Sequence, residues 1–102
     1  MNKKELIIDI ELTRDSVCAG DDIDAPHKKI VKMNSIIDTI ALVTKISQNY
    51  LPAIAGQNHH WECLLNDKII AIIEKDKILP KIYCVKYDED NTIHFTYYPM
   101  LD

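Results

Sequence analysis

Polar and apolar residues alternate from Glu5 to Thr13. Leu6, Ile8, Ile10 and Leu12 fall on one side, and Glu5, Asp9, Glu11 and Thr13, with Ile7, on the other. A period of two with one polar face predicts a half-buried strand. The pattern then stops. Arg14–His27, reading RDSVCAGDDIDAPH, has neither a strand nor a helix period, and it is expected to be a long loop. Loops of this length inside a small domain are usually functional or disordered and are seldom simple connections. Pro26 disfavours helix at Ala25, and His27-Lys28-Lys29 leads into Ile30-Val31, a short extended piece.

The next period is helical. Asn34 or Ser35 is placed to cap a helix running to about Tyr50, with Pro52 stopping it. On a helical wheel Asn34, Asp38, Ala41, Lys45, Gln48 and Asn49 share one narrow face, and apolar residues cover most of the remainder. So wide an apolar sector predicts burial on more than one side, with the helix against a sheet and touched by a second element such as the loop. Pro52–His60 is a second irregular segment.

Beyond it the chain reads as four strands. Trp61–Leu65 and Lys68–Ile73 flank Asn66-Asp67, both of which tolerate left-handed backbone and so predict a tight hairpin. Glu74–Lys77 is expected to turn, with Pro80 limiting pairing near the start of the next strand. Lys81–Tyr87 alternates Ile82, Cys84 and Lys86 against Tyr83, Val85 and Tyr87. After the charged turn Asp88–Asn91, Thr92–Tyr98 alternates again until Pro99. The expected architecture is α+β: one long helix on a mostly antiparallel sheet of about five strands, in the order β-loop-α-β-β-β-β. A chain of 102 residues forms a single domain, residues 1–102.

Composition narrows the function classes. With 47% hydrophobic and 27% charged residues the chain can bury one core, as a soluble globular protein does. The net charge of -4 argues against nucleic acid, whose phosphates need clustered Lys and Arg, and suits a basic protein partner. Cys18, Cys63 and Cys84 are odd in number and without framework spacing, as expected of reduced thiols. The first residues, MNKKELIIDIEL, do not form a signal peptide, and no apolar run is long enough to span a membrane. A cytoplasmic location is expected, with no membrane partner.

Metal, cofactor and catalytic chemistry each lack a required piece. An EF-hand loop needs a central glycine and a terminal glutamate, whereas Gly20 precedes the aspartates and no Glu follows at the right distance. Cys18, His27, His59 and His60 match no zinc spacing. Ser16 and Cys18 are conceivable nucleophiles, yet no strained elbow or glycine-rich oxyanion loop accompanies them. Two glycines are too few for a phosphate cradle. No metal, no cofactor and no enzymatic activity are expected.

Surface recognition remains. Asp15, Asp21, Asp22 and Asp24 place four carboxylates in a short span, a field that speeds encounter with a basic partner. His59, His60, Trp61, Tyr97 and Tyr98 are residue types suited to an interface, although core packing is the commoner fate of a tryptophan such as Trp61. Arg14 is positioned to pair with a loop aspartate and hold the loop in shape, and Val17, Cys18 and Ile23 are expected to pack down against the core.

In size, acidity, single α+β domain and the loop RDSVCAGDDIDAPH, the chain resembles bacterial immunity proteins that neutralise contact-dependent growth inhibition and other polymorphic toxins. The resemblance implies binding to a cognate toxin domain, often a nuclease, with acidic side chains standing where substrate phosphates would lie; a monomer is favoured over an oligomer. Asp21, Asp22 and Asp24 would be the electrostatic contacts. The alternatives are a small hydrolytic or metal-dependent enzyme centred on Ser16, Cys18, Asp22 and His27, and a homo-oligomeric structural subunit paired through a sheet edge.

Overall fold

A computed structural model describes residues 6–17, 19–52, 59–75 and 77–99. Strand β1, Ile7–Arg14, leads into a short 3-10 helix at Ala19–Asp24, strand β2 at Lys29–Asn34, helix α1 at Thr39–Gln48, and strands β3, His59–Leu65, and β4, Lys68–Glu74. Strands β5, Lys77–Pro80, and β6, Asn91–Pro99, complete the described elements. They form one six-stranded mixed sheet in the order β2-β1-β6-β3-β4-β5. Only β1 and β6 run parallel; the other neighbours are antiparallel. The α+β class with one helix and a mostly antiparallel sheet stands, with six strands in place of five.

Alternation decides what each strand buries. Ile10, Leu12 and Arg14 of β1 meet Ile93 and Phe95 of β6, and Trp61, Cys63 and Leu65 of β3 continue the same face. Leu42, Val43 and Ile46 of α1 close over this layer, lying nearest β4 and β5. Each such side chain, fully buried, contributes roughly 1.5–3 kcal/mol. Asn66 and Asp67 both take positive φ, 50° and 71°, forming the tight connection expected between β3 and β4.

The helix begins later than its pattern predicts. Asn34 is the last residue of β2, paired with Ile7, and Ser35 N–H still donates to the Leu6 carbonyl at 2.8 Å. Sheet pairing therefore takes both expected capping residues. Asp38 caps instead, its side chain accepting from Ala41 N–H at 2.8 Å. Ile36 and Ile40 are exposed, so the buried face of α1 is narrower than the wheel suggested. A second element does touch the helix at its start, where Thr39 N–H donates to the Tyr83 carbonyl at 3.1 Å.

Two further differences are local. Ile30-Val31 belongs to a full strand, β2, paired with β1 over Lys29–Asn34. The strand expected over Lys81–Tyr87 is absent: β5 occupies Lys77–Pro80, and the residues after it run without a sheet partner. The outermost strands carry Lys29 and Lys32 on β2 and Lys77 and Pro80 on β5, residues that discourage edge-to-edge pairing. Among the described residues no helix is long and apolar enough to cross a membrane.

Candidate functional site

The acidic loop begins as an extension of the sheet. Asp15 N–H donates to the Phe95 carbonyl at 3.0 Å, so the chain is still held to β6 one residue past the end of β1. The Asp15 carboxylate accepts Tyr97 N–H at 3.0 Å through Oδ2, and its Oδ1 lies 3.0 Å from His94 Nε2. His94 Nδ1 lies 2.8 Å from Thr13 Oγ1. An ionised Asp15 assigns the ring proton to Nε2 and leaves Nδ1 to accept the Thr13 hydroxyl. Asp15 is a brace across β1 and β6.

Arg14 faces the core and is only 8% exposed. Its Nη1 and Nη2 donate to Asp21 Oδ2 and Oδ1 at 2.7 and 3.0 Å, a bidentate pair. Asp21 Oδ2 also accepts Val17 N–H at 3.0 Å. The guanidinium bonds, then the Val17 N–H, hold the Asp21 carboxyl well below the usual carboxylate range, and the same bond raises Arg14. The guanidinium carbon sits 6.0 Å from the centre of the Tyr50 ring, within cation–π range. The expected Arg14–aspartate pair is thus made with Asp21.

The far end of the loop is tied as firmly. Arg14 N–H donates to the Pro26 carbonyl at 3.1 Å, and His27 N–H donates to the Asp24 carbonyl at 2.7 Å. Tyr50, just past α1, donates its hydroxyl to the His27 carbonyl. Ser16 Oγ lies 3.1 Å from His27 Nε2 and donates to the Asp21 carbonyl at 3.3 Å. Asp21 Oδ1 is 3.6 Å from the same His27 nitrogen. That carboxylate favours a proton on Nε2, which then donates to Ser16. A base for Ser16 would need its lone pair there and a carboxylate on the opposite ring nitrogen. Ser16, Asp21 and His27 meet, with the carboxylate beside the ring nitrogen that faces Ser16 and not beside the opposite one. Among the described residues no group of three His, Cys, Asp or Glu is arranged to hold a metal ion.

These bonds divide the four aspartates. Asp15 and Asp21 are engaged internally, whereas Asp22 and Asp24 are exposed and make no ion pair among the described residues. Val17 packs against the core as expected, but Ile23 is 84% exposed and projects beside the free carboxylates. Cys18 and residues 53–58 lie outside the described residues.

The aromatic candidates split between two faces of the β3–β6 pair. Trp61 is 3% exposed and packs on Tyr97 with centroids 4.9 Å apart, so its role is core. His59 lies on the same face, 6.0 Å from Tyr97. On the other face His60 stacks on Tyr98 at 4.8 Å, and the Tyr98 hydroxyl donates to Glu62 Oε1 at 3.0 Å, which raises that phenol. No described element covers this second face, which also carries Asp15 and His94. Glu62 and His94 were missed because nothing along the chain announces which strands become neighbours.

Surface grooves also lie apart from the loop. One, of about 570 Å³, runs between β1 and the turn before β6 and is lined by Asp9, Glu11, Glu89 and Asp90. Asp9 is paired with Lys32 at 2.8 Å and Glu11 with Lys28 at 3.0 Å, both exposed pairs of small energetic weight. Another lies beside β4 and is lined by Ile69, Ile70, Ile82 and Cys84. Comparison of the chain with protein-family models, with curated proteins and with solved structures finds no match.

Proposed function

We propose that this chain is an immunity protein, neutralising a toxin domain by covering a basic surface such as a nuclease cleft. One observation carries the reading. The loop is pinned internally through Arg14–Asp21, at 2.7 and 3.0 Å, while the Asp22 and Asp24 carboxylates stay exposed and unpaired among the described residues. A pre-organised loop loses little entropy on binding. Two free carboxylates on such a frame add a local negative field that raises the rate of encounter with a cationic cleft. Asp21 acts in this reading as the latch that orders its neighbours, and the His60–Tyr98 stack with Glu62 offers an aromatic and acidic surface on the uncovered sheet face.

The test pairs the protein with a basic toxin nuclease domain that it captures and measures association by stopped flow across a salt series. The Asp22→Asn, Asp24→Asn double variant is expected to keep its melting temperature, to associate about tenfold more slowly at low salt, and to show a flatter salt dependence. Unchanged rate and salt dependence would place the interface away from the loop.

A further inference from the structure

We infer that Ile82–Tyr87 is a docking edge for an extended peptide of a partner protein, added as a strand in the groove beside Lys68–Ile70 and carrying apolar and acidic residues. The inference goes beyond the toxin-neutralising reading and does not rest on it.

The segment has the composition and alternation of a strand but no strand partner. Val85 and Tyr87 pack against the core, whereas Ile82 is 41% and Tyr83 83% exposed. After Pro80, Lys81 N–H donates to the Ile70 carbonyl at 2.8 Å, and there the chain leaves β4. Among the described residues no backbone N–H from Ile82 to Tyr87 donates a hydrogen bond, and only the Tyr83 carbonyl accepts one, from Thr39. On the opposite side, β5 pairs with Ala71–Glu74 and Lys81 takes the Ile70 carbonyl, so only Lys68 and Ile69 of β4 have no neighbour along that edge. The unbonded backbone of Ile82–Tyr87 and the short free edge at Lys68 and Ile69 therefore flank one groove.

That groove has a volume of about 500 Å³, and Ile69, Ile70, Ile82 and Cys84 contribute apolar wall. Lys68 and Lys86 line it, and neither forms an ion pair among the described residues. The one carboxylate present, Asp88, accepts from Asn66 Nδ2 at 3.3 Å. Unpaired backbone groups supply affinity for an added strand, and alternate side chains supply its specificity. Apolar residues of the incoming strand fit the wall, and acidic ones face the two lysines. Two of the groove's apolar side chains, Ile69 and Ile82, are exposed, as at an interaction site.

Hydrogen exchange followed by NMR on the full chain tests the geometry first. The Ile82–Tyr87 amides should exchange at nearly unprotected rates while those of Ala71–Ile73 are protected; protection of the former in the free protein would overturn the inference. A blocked seven-residue peptide of alternating valine and glutamate is the probe. Its binding should slow exchange at Ile82–Tyr87 and shift the resonances of Lys68–Ile70. The valine–lysine counterpart should bind about fivefold more weakly or worse, and the Lys68→Glu, Lys86→Glu double variant should reverse that order. N-methylation of alternate peptide bonds should abolish binding. No binding at millimolar peptide, resonance shifts elsewhere, or equal binding of the methylated peptide would each overturn the assignment. So would a dimer whose formation protects the same amides, since the edge would then serve self-association.

Discussion

Replacing Tyr50 by Phe removes one oxygen and asks whether the acidic loop is held at its far end. The hydroxyl donates to the His27 carbonyl, while the ring lies 5.9 Å from Phe95 and 6.0 Å from the Arg14 guanidinium. Phenylalanine keeps the ring and loses the bond, a net loss of about 1 kcal/mol. For a domain of this size that lowers the melting temperature by roughly 4–8 °C. Tyr50→Ala also loses the aromatic pair, the cation–π contact and side-chain packing, for a total of about 3–4 kcal/mol. Urea unfolding followed through Trp61, the single tryptophan and 3% exposed, reports both. Exchange of the loop amides should quicken by about fivefold in Tyr50→Phe if the loop opens locally. pH supplies an internal control. Burial pushes the Tyr50 phenol up to about 12 from an ordinary 10. A folded pKa above the unfolded one contributes stability that is full below pH 10 and is lost as pH rises towards 12. The gap between wild type and Tyr50→Phe should therefore narrow over that window. If Tyr50→Phe changes neither stability nor loop exchange, the hydroxyl does not hold the loop and Arg14–Asp21 alone must order it.

Asp21→Asn should destabilise the protein most near neutral pH and somewhat less at pH 3. The Asp21 carboxyl is depressed when folded, so its contribution is full above the ordinary carboxylate pKa, begins to shrink below it, and is lost only as pH falls through the much lower folded value. Urea midpoints of the two proteins at pH 7 and pH 3 check this, and a gap that widens in acid would contradict it. In a Cys18→Ser background, an aromatic disulfide reagent should modify exposed Cys84 promptly. Cys63, whose thiol burial pushes up, should react only at the rate of unfolding. Two fast thiols would show that the β3 core is open.

Strands announced themselves where alternation and pairing agree. β1 reads directly from its period of two, and Asn66-Asp67 marks the β3–β4 connection because both residues accept left-handed backbone. α1 was legible in its body but not at its start, since Asn34 and Ser35 suit a cap equally well and only the register with Leu6 and Ile7 removes them from the helix. β2, reading KIVKMN, has no clean alternation, and its pairing with β1 overrides that weak signal. The division among the aspartates was invisible for a different reason. Asp15 and Asp22 look alike along the chain, yet Asp15 is fixed by His94 and Tyr97, residues that a sheet crossing brings back from the other end of the sequence.

Lys81–Tyr87 shows what alternation does and does not encode. Period two describes side chains sorted to two faces, and Val85 and Tyr87 do face the core. It carries no information about a hydrogen-bonding neighbour. Past Pro80 the Lys81 N–H still donates to the Ile70 carbonyl, and the chain then crosses to meet the start of α1 through Tyr83 and Thr39. The outcome is a sheet whose end strands are guarded by lysine and proline, with one strand-like segment left unpaired beside an apolar groove. The tied acidic loop lies beyond the end of β1, near Phe95 and Tyr97, whereas the groove lies near Leu65 and Lys68, towards the opposite ends of the strands and the other side of the sheet. A basic partner on the loop and an acidic strand in the groove would therefore not compete. The charges that attract each lie on its own side, so replacing Asp22 and Asp24 should leave peptide binding at Lys68 and Lys86 unchanged.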